Sequence, residues 1–216
     1  MSGVLITGTD TNVGKTWVTC ALARALREQR RRVGVFKPVE TGVTTIPEDA
    51  LALQRAAEDP TPLSEICPYQ IHAPLAPAVA AVREGRTIEF DRLVDMIARR
   101  LPTVDVLLVE GAGGLLVPIV GRLTYLDLAL RCDLPLLIVA ANRLGTINHT
   151  ALTARVAAAA GAQVLGFVLS HPAVHTDESA GSNASAIADL TGLTCRGVLA
   201  HGATGPLDLL PLLAGA

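Results

Sequence analysis

The stretch VLITGTDTNVGKT, residues 4–16, decides how this chain is expected to fold. Its apolar start predicts a buried strand, residues 8–14 form a glycine-bounded turn, and Lys15 and Thr16 open a helical pattern. A strand, loop and helix in this order direct backbone N–H groups and the positive helix end at phosphate oxygens. Five residues separate the first glycine from Gly-Lys-Thr, where the common phosphate-loop pattern has four. We therefore predict a variant phosphate loop, with a chance Gly-Lys-Thr turn as the alternative.

Short apolar runs alternate with helical patterns along the rest of the chain. The predicted strands cover residues 4–7, 33–36, 104–109, 136–140 and 164–169. The predicted helices cover residues 15–30, 49–57, 90–101, 147–160 and 182–190. Parallel strands require crossover connections, so the alternation predicts an α/β fold of the P-loop NTPase type. We expect a doubly wound, mostly parallel sheet with helices on both faces.

Size and composition favour a single packed domain that covers residues 1–216. A chain of 216 residues lies within the size at which one core keeps growing. Half of the residues are hydrophobic and 18% are charged, so no segment is polar enough to predict disorder.

Charge and apolar patterning exclude several classes of partner. The net charge of −2 gives no general attraction to polyanions, so we expect no nucleic acid. The longest apolar run, residues 134–141, falls short of the roughly 20 residues that span a bilayer. The start lacks the basic region of a signal peptide, so we expect a cytoplasmic protein without a membrane role.

The cysteines are scattered without a metal-binding spacing and are expected to be reduced and buried: Cys20, Cys67, Cys132 and Cys195.

Residues 45–77 form the least regular region because six prolines interrupt it. This segment is either a loop that covers a substrate or a surface connection. The sequence alone favours the surface connection.

Ligands of an open parallel sheet gather at the carboxyl ends of its strands, so polar residues at those ends are informative. Lys37 ends the strand in VGVFKPVETG, and Pro38 prevents immediate continuation as a helix. An isolated lysine there is usually solvated. Beside a nucleotide, a second lysine neutralises charge on a group in transfer.

Glu110 ends the strand in VDVLLVEGAGG, where an unpaired buried carboxylate is costly. A magnesium ion held together with Thr16 relieves that cost, and residues 111–114 allow the backbone to approach a ligand closely. The alternative is a salt bridge from Glu110 to Lys37 or Arg122.

The last informative strand end is NRLGTINHT, after the apolar LLIVAA. A helix starts there and offers a pocket for an anion such as a carboxylate.

Asp49 is the weakest candidate for a functional carboxylate, because an acidic residue in the first turn of a helix is ordinary capping. No histidine stands at a catalytic or metal-binding spacing, so none receives a catalytic role: His72, His149, His171, His175 and His201.

Five motifs taken together resemble the dethiobiotin synthetase family: GTDTNVGKT, KPVETG, DALALQ, EGAGGLLVP and LGTINHT. They occur in order from the amino terminus to about residue 150. The phosphate loop of the family likewise has five residues between its first glycine and Gly-Lys-Thr. The resemblance implies a homodimeric ligase that uses ATP, magnesium and carbon dioxide on 7,8-diaminononanoate. It also implies a carbamate, a carbamic-phosphoric anhydride, and closure of a cyclic urea by the second amine.

The resemblance also implies roles for individual residues. Lys15 and Lys37 steady the phosphates and the carbamate as catalytic residues, and Thr41 touches the substrate. The implied magnesium ligands are Thr16, Asp49 and Glu110. The implied contacts to the substrate carboxylate, across the dimer interface, are Gly145, Thr146, Ile147 and Asn148. The implied nucleotide-binding residues are Asn12, Val13, Gly14, Lys15, Thr16, Trp17, Asp49, Glu110, Gly111, Ala112, Gly113, Ser170 and His171.

The carboxyl-terminal third departs from the family pattern. The family often has an Asn-Asp pair after a strand, and this pair contacts the adenine base. This chain has Ser170, His171 and Pro172 at that place. The later Ile-Pro segment appears as residues 198–201. ATP remains the expected nucleotide, and these departures raise the hypothesis of a relaxed preference among nucleoside triphosphates.

Two other functions fit parts of the pattern. A partitioning-type regulatory P-loop ATPase generally carries another lysine near the start of the loop, where Thr9 and Asp10 stand here. Residues 206–216 also lack the basic face of a membrane-binding helix. A small-molecule kinase would share Lys15, Thr16 and a carboxylate but has no need for KPVETG.

Overall fold

The structure is a computed structural model that describes residues 2–171, 177–200 and 202. Pro172, His175, His201 and residues 206–216, which the sequence analysis mentions, lie outside the described residues.

Six strands form a central sheet in which every neighbouring pair is parallel. The strands of the described residues are β1 (Ser2–Gly8), β2 (Val33–Phe36), β3 (Val39–Thr41), β4 (Tyr69–Ile71), β5 (Val106–Gly114), β6 (Pro118–Val120), β7 (Leu123–Thr124), β8 (Leu136–Ala141), β9 (Val164–Ser170) and β10 (Cys195–Leu199). The order across the sheet is β10, β9, β8, β1, β5, β2. Two small two-stranded sheets pair β3 with β4 and β6 with β7. Because the central strands are parallel, their carboxyl ends share one edge.

Helices connect the strands and cover the sheet. They are α1 (Lys15–Glu28), α2 (Glu48–Ala57), α3 (Leu63–Ile66), α4 (Pro77–Arg83), α5 (Phe90–Arg100), α6 (Tyr125–Arg131), α7 (Thr146–Ala159) and α8 (Asn183–Thr191), with short 3₁₀ turns at Leu101–Thr103 and Glu178–Gly181. No helix of the described residues is long and apolar enough to cross a membrane.

Side chains of the central strands alternate between two buried faces, as expected for a sheet covered on both sides. Val4 and Ile6 of β1 pack in one cluster with Leu22 of α1. Leu5 packs on the opposite face in a cluster that contains Leu93 of α5. A third cluster joins α7 and α8 to β8 and β9. The expected α/β sheet with helices on both faces is thus confirmed.

All five predicted strands and all five predicted helices are present, with differences at their ends. The first helix ends at Glu28 because Arg30 adopts a left-handed conformation, with φ of 61°. Strand β5 continues to Gly114, since Gly114 pairs with Gly8 of β1. The sequence analysis did not predict the strands β3, β4, β6, β7 and β10 or the helices α3, α4 and α6.

All four cysteines are free thiols, as expected. Cys20 and Cys67 are buried, and burial raises the pKa of each to about 12. Cys132 and Cys195 are partly exposed, so the expectation of burial is wrong for these two. Cys132 follows the last residue of α6, and Cys195 starts β10, an edge strand of the central sheet.

Candidate active site

The register of the sheet brings Lys37 and Glu110 together. Phe36, the last residue of β2, lies opposite Val109 of β5. The following residues, Lys37 and Glu110, are therefore neighbours at the carboxyl edge, and Nζ of Lys37 lies 2.6 Å from Oε1 of Glu110. This ion pair is the alternative that the sequence analysis kept for Glu110.

Lys37 makes further contacts that hold its ammonium group in place. Its Nζ donates to Oδ2 of Asp49 at 2.9 Å and to the carbonyl oxygen of Gly111 at 3.4 Å. Burial acts against the charge, but Glu110 and Asp49 raise the pKa of Lys37 above its ordinary value. Burial likewise opposes ionisation of Asp49, yet the charge of Lys37 lowers the pKa of that carboxyl. Lys37 is therefore a permanent cation at neutral pH.

The loop after β1 has the conformation that a phosphate site needs. Asn12 and Gly14 have positive φ angles of 54° and 87°. Nζ of Lys15 donates to the carbonyl oxygen of Asp10 at 3.0 Å, inside the curve of the loop. A Cβ atom at Gly8 would lie 2.9 Å from that nitrogen, so the glycine makes room for Lys15. Burial, followed by the charge of Lys37, lowers the pKa of Lys15 to about 8.

The donor groups around Glu110 fit a hard cation. Oγ1 of Thr16 donates to Oε1 of Glu110 at 2.9 Å. Oε2 of Glu110 is buried and has no hydrogen-bond partner among the described residues. Oxygen ligands of this kind suit magnesium, which protein sites usually bind through one or two carboxylates together with substrate phosphates. Within the described part of the chain, no group of three or more His, Cys, Asp or Glu side chains is arranged to hold a metal. A cation here would thus depend on Thr16 and on phosphate oxygens as well.

A cavity of about 750 Å³ opens at this edge of the sheet. Most of the predicted site residues line it: Asn12, Gly14, Lys15, Thr16, Trp17, Lys37, Thr41, Asp49, Ala112, Gly113, Ser170 and His171. Val13, Glu110 and Gly111 are buried behind the wall. Gly111 packs against the ring of Tyr125, which a Cβ atom would approach to 3.3 Å, so this glycine serves packing.

The cavity wall also contains residues that the sequence analysis missed. Residues 74–77, from the proline-interrupted region, line the cavity together with Glu40, Val117 and Leu199. The preference for a plain surface connection is therefore wrong for residues 74–77. Sequence spacing gave no signal for them, because their position depends on how the segment folds back through β4 onto β3.

The cavity wall includes Ser170, the last residue of β9, and His171, which follows it. Oγ of Ser170 donates to the carbonyl oxygen of Val13 at 2.5 Å and so ties β9 to the phosphate loop. The amide nitrogen of Asn142 lies 3.2 Å from Nε2 of His171. Asn142 is itself held by Asn183, whose Nδ2 donates to its Oδ1 at 2.9 Å. His171 thus contacts Asn142 at the cavity wall.

The start of α7 lies apart from this cavity. Gly145, Thr146, Ile147 and Asn148 are absent from its lining. Gly145 has a φ of 93°, and Oγ1 of Thr146 is buried without a hydrogen-bond partner among the described residues. One chain therefore does not bring these four residues together with Lys37.

Comparisons with known proteins agree with this geometry. A family model described as an AAA domain matches residues 2–202. The ATP-dependent dethiobiotin synthetase BioD of Anaeromyxobacter dehalogenans is 46% identical over 192 residues, which cover 88% of this chain and 86% of that protein. The protein of the same name from Bacillus cereus is 43% identical over 201 residues, which cover 92% of this chain and 83% of that protein.

Solved structures share the fold at much lower identity. Chloroplast FtsY from Physcomitrella patens aligns with a TM-score of 0.54 and 17% identity, covering 99% of this chain and 64% of that chain. A chain of the MinC:MinD cell division protein complex from Aquifex aeolicus aligns with a TM-score of 0.58 and 13% identity, covering 99% of this chain and 85% of that chain. These likenesses show the P-loop fold alone. The high identity to the two synthetases over most of both lengths shows that the chain belongs to the family of ATP-dependent dethiobiotin synthetases, which are ligases of biotin biosynthesis.

Proposed function

We propose that this protein converts 7,8-diaminononanoate, carbon dioxide and ATP into dethiobiotin, ADP and phosphate with the help of magnesium. The similarity to two ATP-dependent dethiobiotin synthetases supports this reaction. The observation that carries it best in this chain is the position of Lys37. Its ammonium group contacts both Asp49 and Glu110, and Lys37 lines the same cavity as the phosphate loop.

The phosphate loop would bind the triphosphate. Asn12 and residues 14–16 line the cavity, and α1 begins at Lys15, so the positive end of this helix would attract phosphate oxygens there. Lys15 adds a positive charge, and a pKa of about 8 leaves most of it protonated at pH 7. Contact with a phosphate would raise that pKa again.

Lys37 would act through its charge, because two carboxylates keep it protonated and prevent it from serving as a base. In the proposed sequence, carbon dioxide adds to one amine to give a carbamate, and a carbamate oxygen attacks the γ-phosphorus with loss of ADP. The second amine then attacks the carbamoyl carbon of the anhydride and expels phosphate. Lys37 would neutralise charge on the oxygens in transfer, which is how phosphoryl transfer is usually assisted.

Thr16, Asp49 and Glu110 would hold magnesium, which supplies charge neutralisation at the phosphate oxygens when bound. The protein itself forms no covalent bond in this scheme. The described residues that line the cavity include no cysteine. Oγ of Ser170 donates to the carbonyl oxygen of Val13, and the ring of the neighbouring His171 lies against Asn142. Positioning and electrostatics therefore carry the chemistry.

Mass spectrometry tests this function directly. The purified protein is incubated with the diamine, bicarbonate, ATP and magnesium, and dethiobiotin is the expected product. Phosphate release should require the diamine and bicarbonate together. Phosphate release that is equally fast without the diamine would instead favour a regulatory ATPase.

We also propose that the protein has a relaxed preference for the nucleotide base. Ser170 and His171 line the cavity, and neither offers the amide and carboxylate pair that distinguishes the adenine edge. In a competition assay, CTP and GTP should each replace ATP at comparable concentrations. Strict rejection of both would refute this part of the proposal.

We further propose a homodimer in which the start of α7 from one subunit completes the other subunit's site. Its separation from the cavity within one chain motivates this proposal. Mixing Lys37→Ala with Asn148→Glu protein tests it, because each heterodimer regains one intact site. About a quarter of full activity should return if two-fold dimers re-form at random. No recovery from re-formed heterodimers would place each complete site within a single chain.

A further inference from the structure

Glu40 is a buried carboxylate that uses both of its oxygens to hold the start of α2. It lies in the middle of β3 and is 7% exposed. Its Oε1 accepts a hydrogen bond from the backbone N–H of Asp49 at 3.0 Å, and its Oε2 accepts one from the backbone N–H of Ala50 at 2.9 Å.

Helix α2 needs this contact because its own cap position cannot supply it. The first N–H groups of a helix have no partner within the helix, and a polar side chain at the cap position usually accepts from them. Pro47 occupies that position and makes no side-chain cap hydrogen bond. Glu40, which comes from a different element, takes over the role of the cap.

Glu40 and Lys37 hold Asp49 at two points. Its backbone N–H donates to Glu40, and its carboxylate accepts from Lys37 at 2.9 Å. The Asp49 side chain is 45% exposed although that of Lys37 is 3% exposed, so water competes for the Asp49 end of this ion pair. The buried contact to the backbone is therefore the firmer of the two attachments.

We propose that Glu40 is a positioning residue, which fixes the first turn of α2 so that the carboxylate of Asp49 stays on Lys37 at the cavity wall. Glu40 also lines the cavity, but its hydrogen bonds go to the two backbone N–H groups at the start of α2, so we assign its effect on the reacting groups to Asp49. Burial raises the pKa of Glu40, while both hydrogen bonds act in the opposite direction. Holding the helix start thus offsets part of the cost of burying this carboxylate.

Amide hydrogen exchange of the nucleotide-free protein tests the anchor without any assay of function. In Glu40→Ala, exchange at Asp49 and Ala50 should become about five- to tenfold faster, as expected for loss of a cap of about 1 kcal/mol. Glu40→Gln keeps one acceptor oxygen and should give a smaller change. The matched control is Glu48→Gln, which removes a negative charge from the exposed side of the same turn. Unchanged exchange in Glu40→Ala, or equal acceleration in Glu48→Gln, would overturn the proposal.

Steady-state kinetics then test positioning, and this part rests on the proposed function. Glu40→Ala should lower kcat about tenfold and change the KM for ATP less than about twofold, because Asp49 is displaced while the phosphate loop stays intact. Glu40→Gln should recover part of kcat, and Glu48→Gln should match the wild type. A Glu40→Ala protein with lower thermal stability but wild-type kcat would show a purely structural role. If the wild-type protein makes no dethiobiotin, the proposed function fails, while the exchange experiment still decides whether Glu40 anchors α2.

Discussion

Lys37 and Glu110 are 73 positions apart in the chain, and their side chains meet at 2.6 Å. Both are buried, and one register of the sheet, Phe36 opposite Val109, places them side by side. Because breaking a buried ion pair leaves one charge without compensation, substitution of either residue affects stability as well as chemistry. Experiments on this pair must therefore measure both the stability and the activity of each variant.

Replacement of Lys37 by alanine should lower kcat by about 100-fold or more, as expected for loss of a group that stabilises charge in the transition state. The affinity for ATP should stay within about threefold, because Lys15 and the loop backbone are unchanged. Rapid-quench turnover and equilibrium nucleotide binding on the folded fraction separate the two effects. Equal losses of turnover and affinity would show that Lys37 binds the nucleotide and the transition state alike.

The same substitution should destabilise the fold by about 3–5 kcal/mol, because Glu110 keeps a buried charge without its partner. Adding Glu110→Gln to Lys37→Ala removes that charge and should restore part of the stability, but no activity. Urea unfolding of the two single variants and the double variant gives the coupling energy. A double variant as unstable as the sum of the singles would argue against a coupled pair.

Glu110→Gln by itself should raise the magnesium concentration required for half-maximal activity about tenfold or more, if Glu110 is a ligand as proposed. The titration is made at a fixed concentration of ATP, with Asp105→Asn as a control. Asp105 is an acidic residue that pairs with Arg32 outside the cavity. An unchanged magnesium titration in Glu110→Gln would remove this residue from the ligand set.

Lys15 should produce a pH dependence above pH 8. Its pKa is about 8 in the folded protein against an ordinary 10.5, so the unfolded chain binds more protons between these values. The contribution of Lys15 to the free energy of unfolding therefore increases as the pH rises through this window. Denaturant unfolding of the wild type and Lys15→Met at a series of pH values isolates the effect. Parallel pH profiles for the two proteins would contradict a lowered pKa.

Gly14→Ala should destabilise the protein more than Gly121→Ala. Both glycines have positive φ angles, 87° and 56°, so alanine is strained at each. A Cβ atom at Gly14 would also lie 2.6 Å from Oγ of Ser170, whereas nothing lies within 4 Å at Gly121. We expect a loss of about 1 kcal/mol at Gly121 and about 2–3 kcal/mol at Gly14 by thermal unfolding. Adding Ser170→Gly should recover part of the loss only at Gly14.

The sequence allowed the fold to be predicted because its signals are local. The apolar runs and helical patterns gave five of the six strands of the central sheet, and VLITGTDTNVGKT gave the phosphate loop. The residues that end those strands, such as Lys37 and Glu110, were identified for the same reason: parallel strands share one carboxyl edge. The family resemblance was carried by contiguous motifs and is confirmed by the relatives.

Only the tertiary structure decided how those residues contact one another. The sequence left Glu110 with either a metal or an ion pair. The register of β2 against β5 brings its Oε1 to Lys37, while its Oε2 has no hydrogen-bond partner among the described residues. The sequence also gave no signal for Glu40. The carboxylate of Glu40 accepts hydrogen bonds from the first turn of a helix that starts eight positions later, at Glu48. Contacts of this kind depend on how distant segments pack, because a side chain's partners are set by space and not by position in the chain.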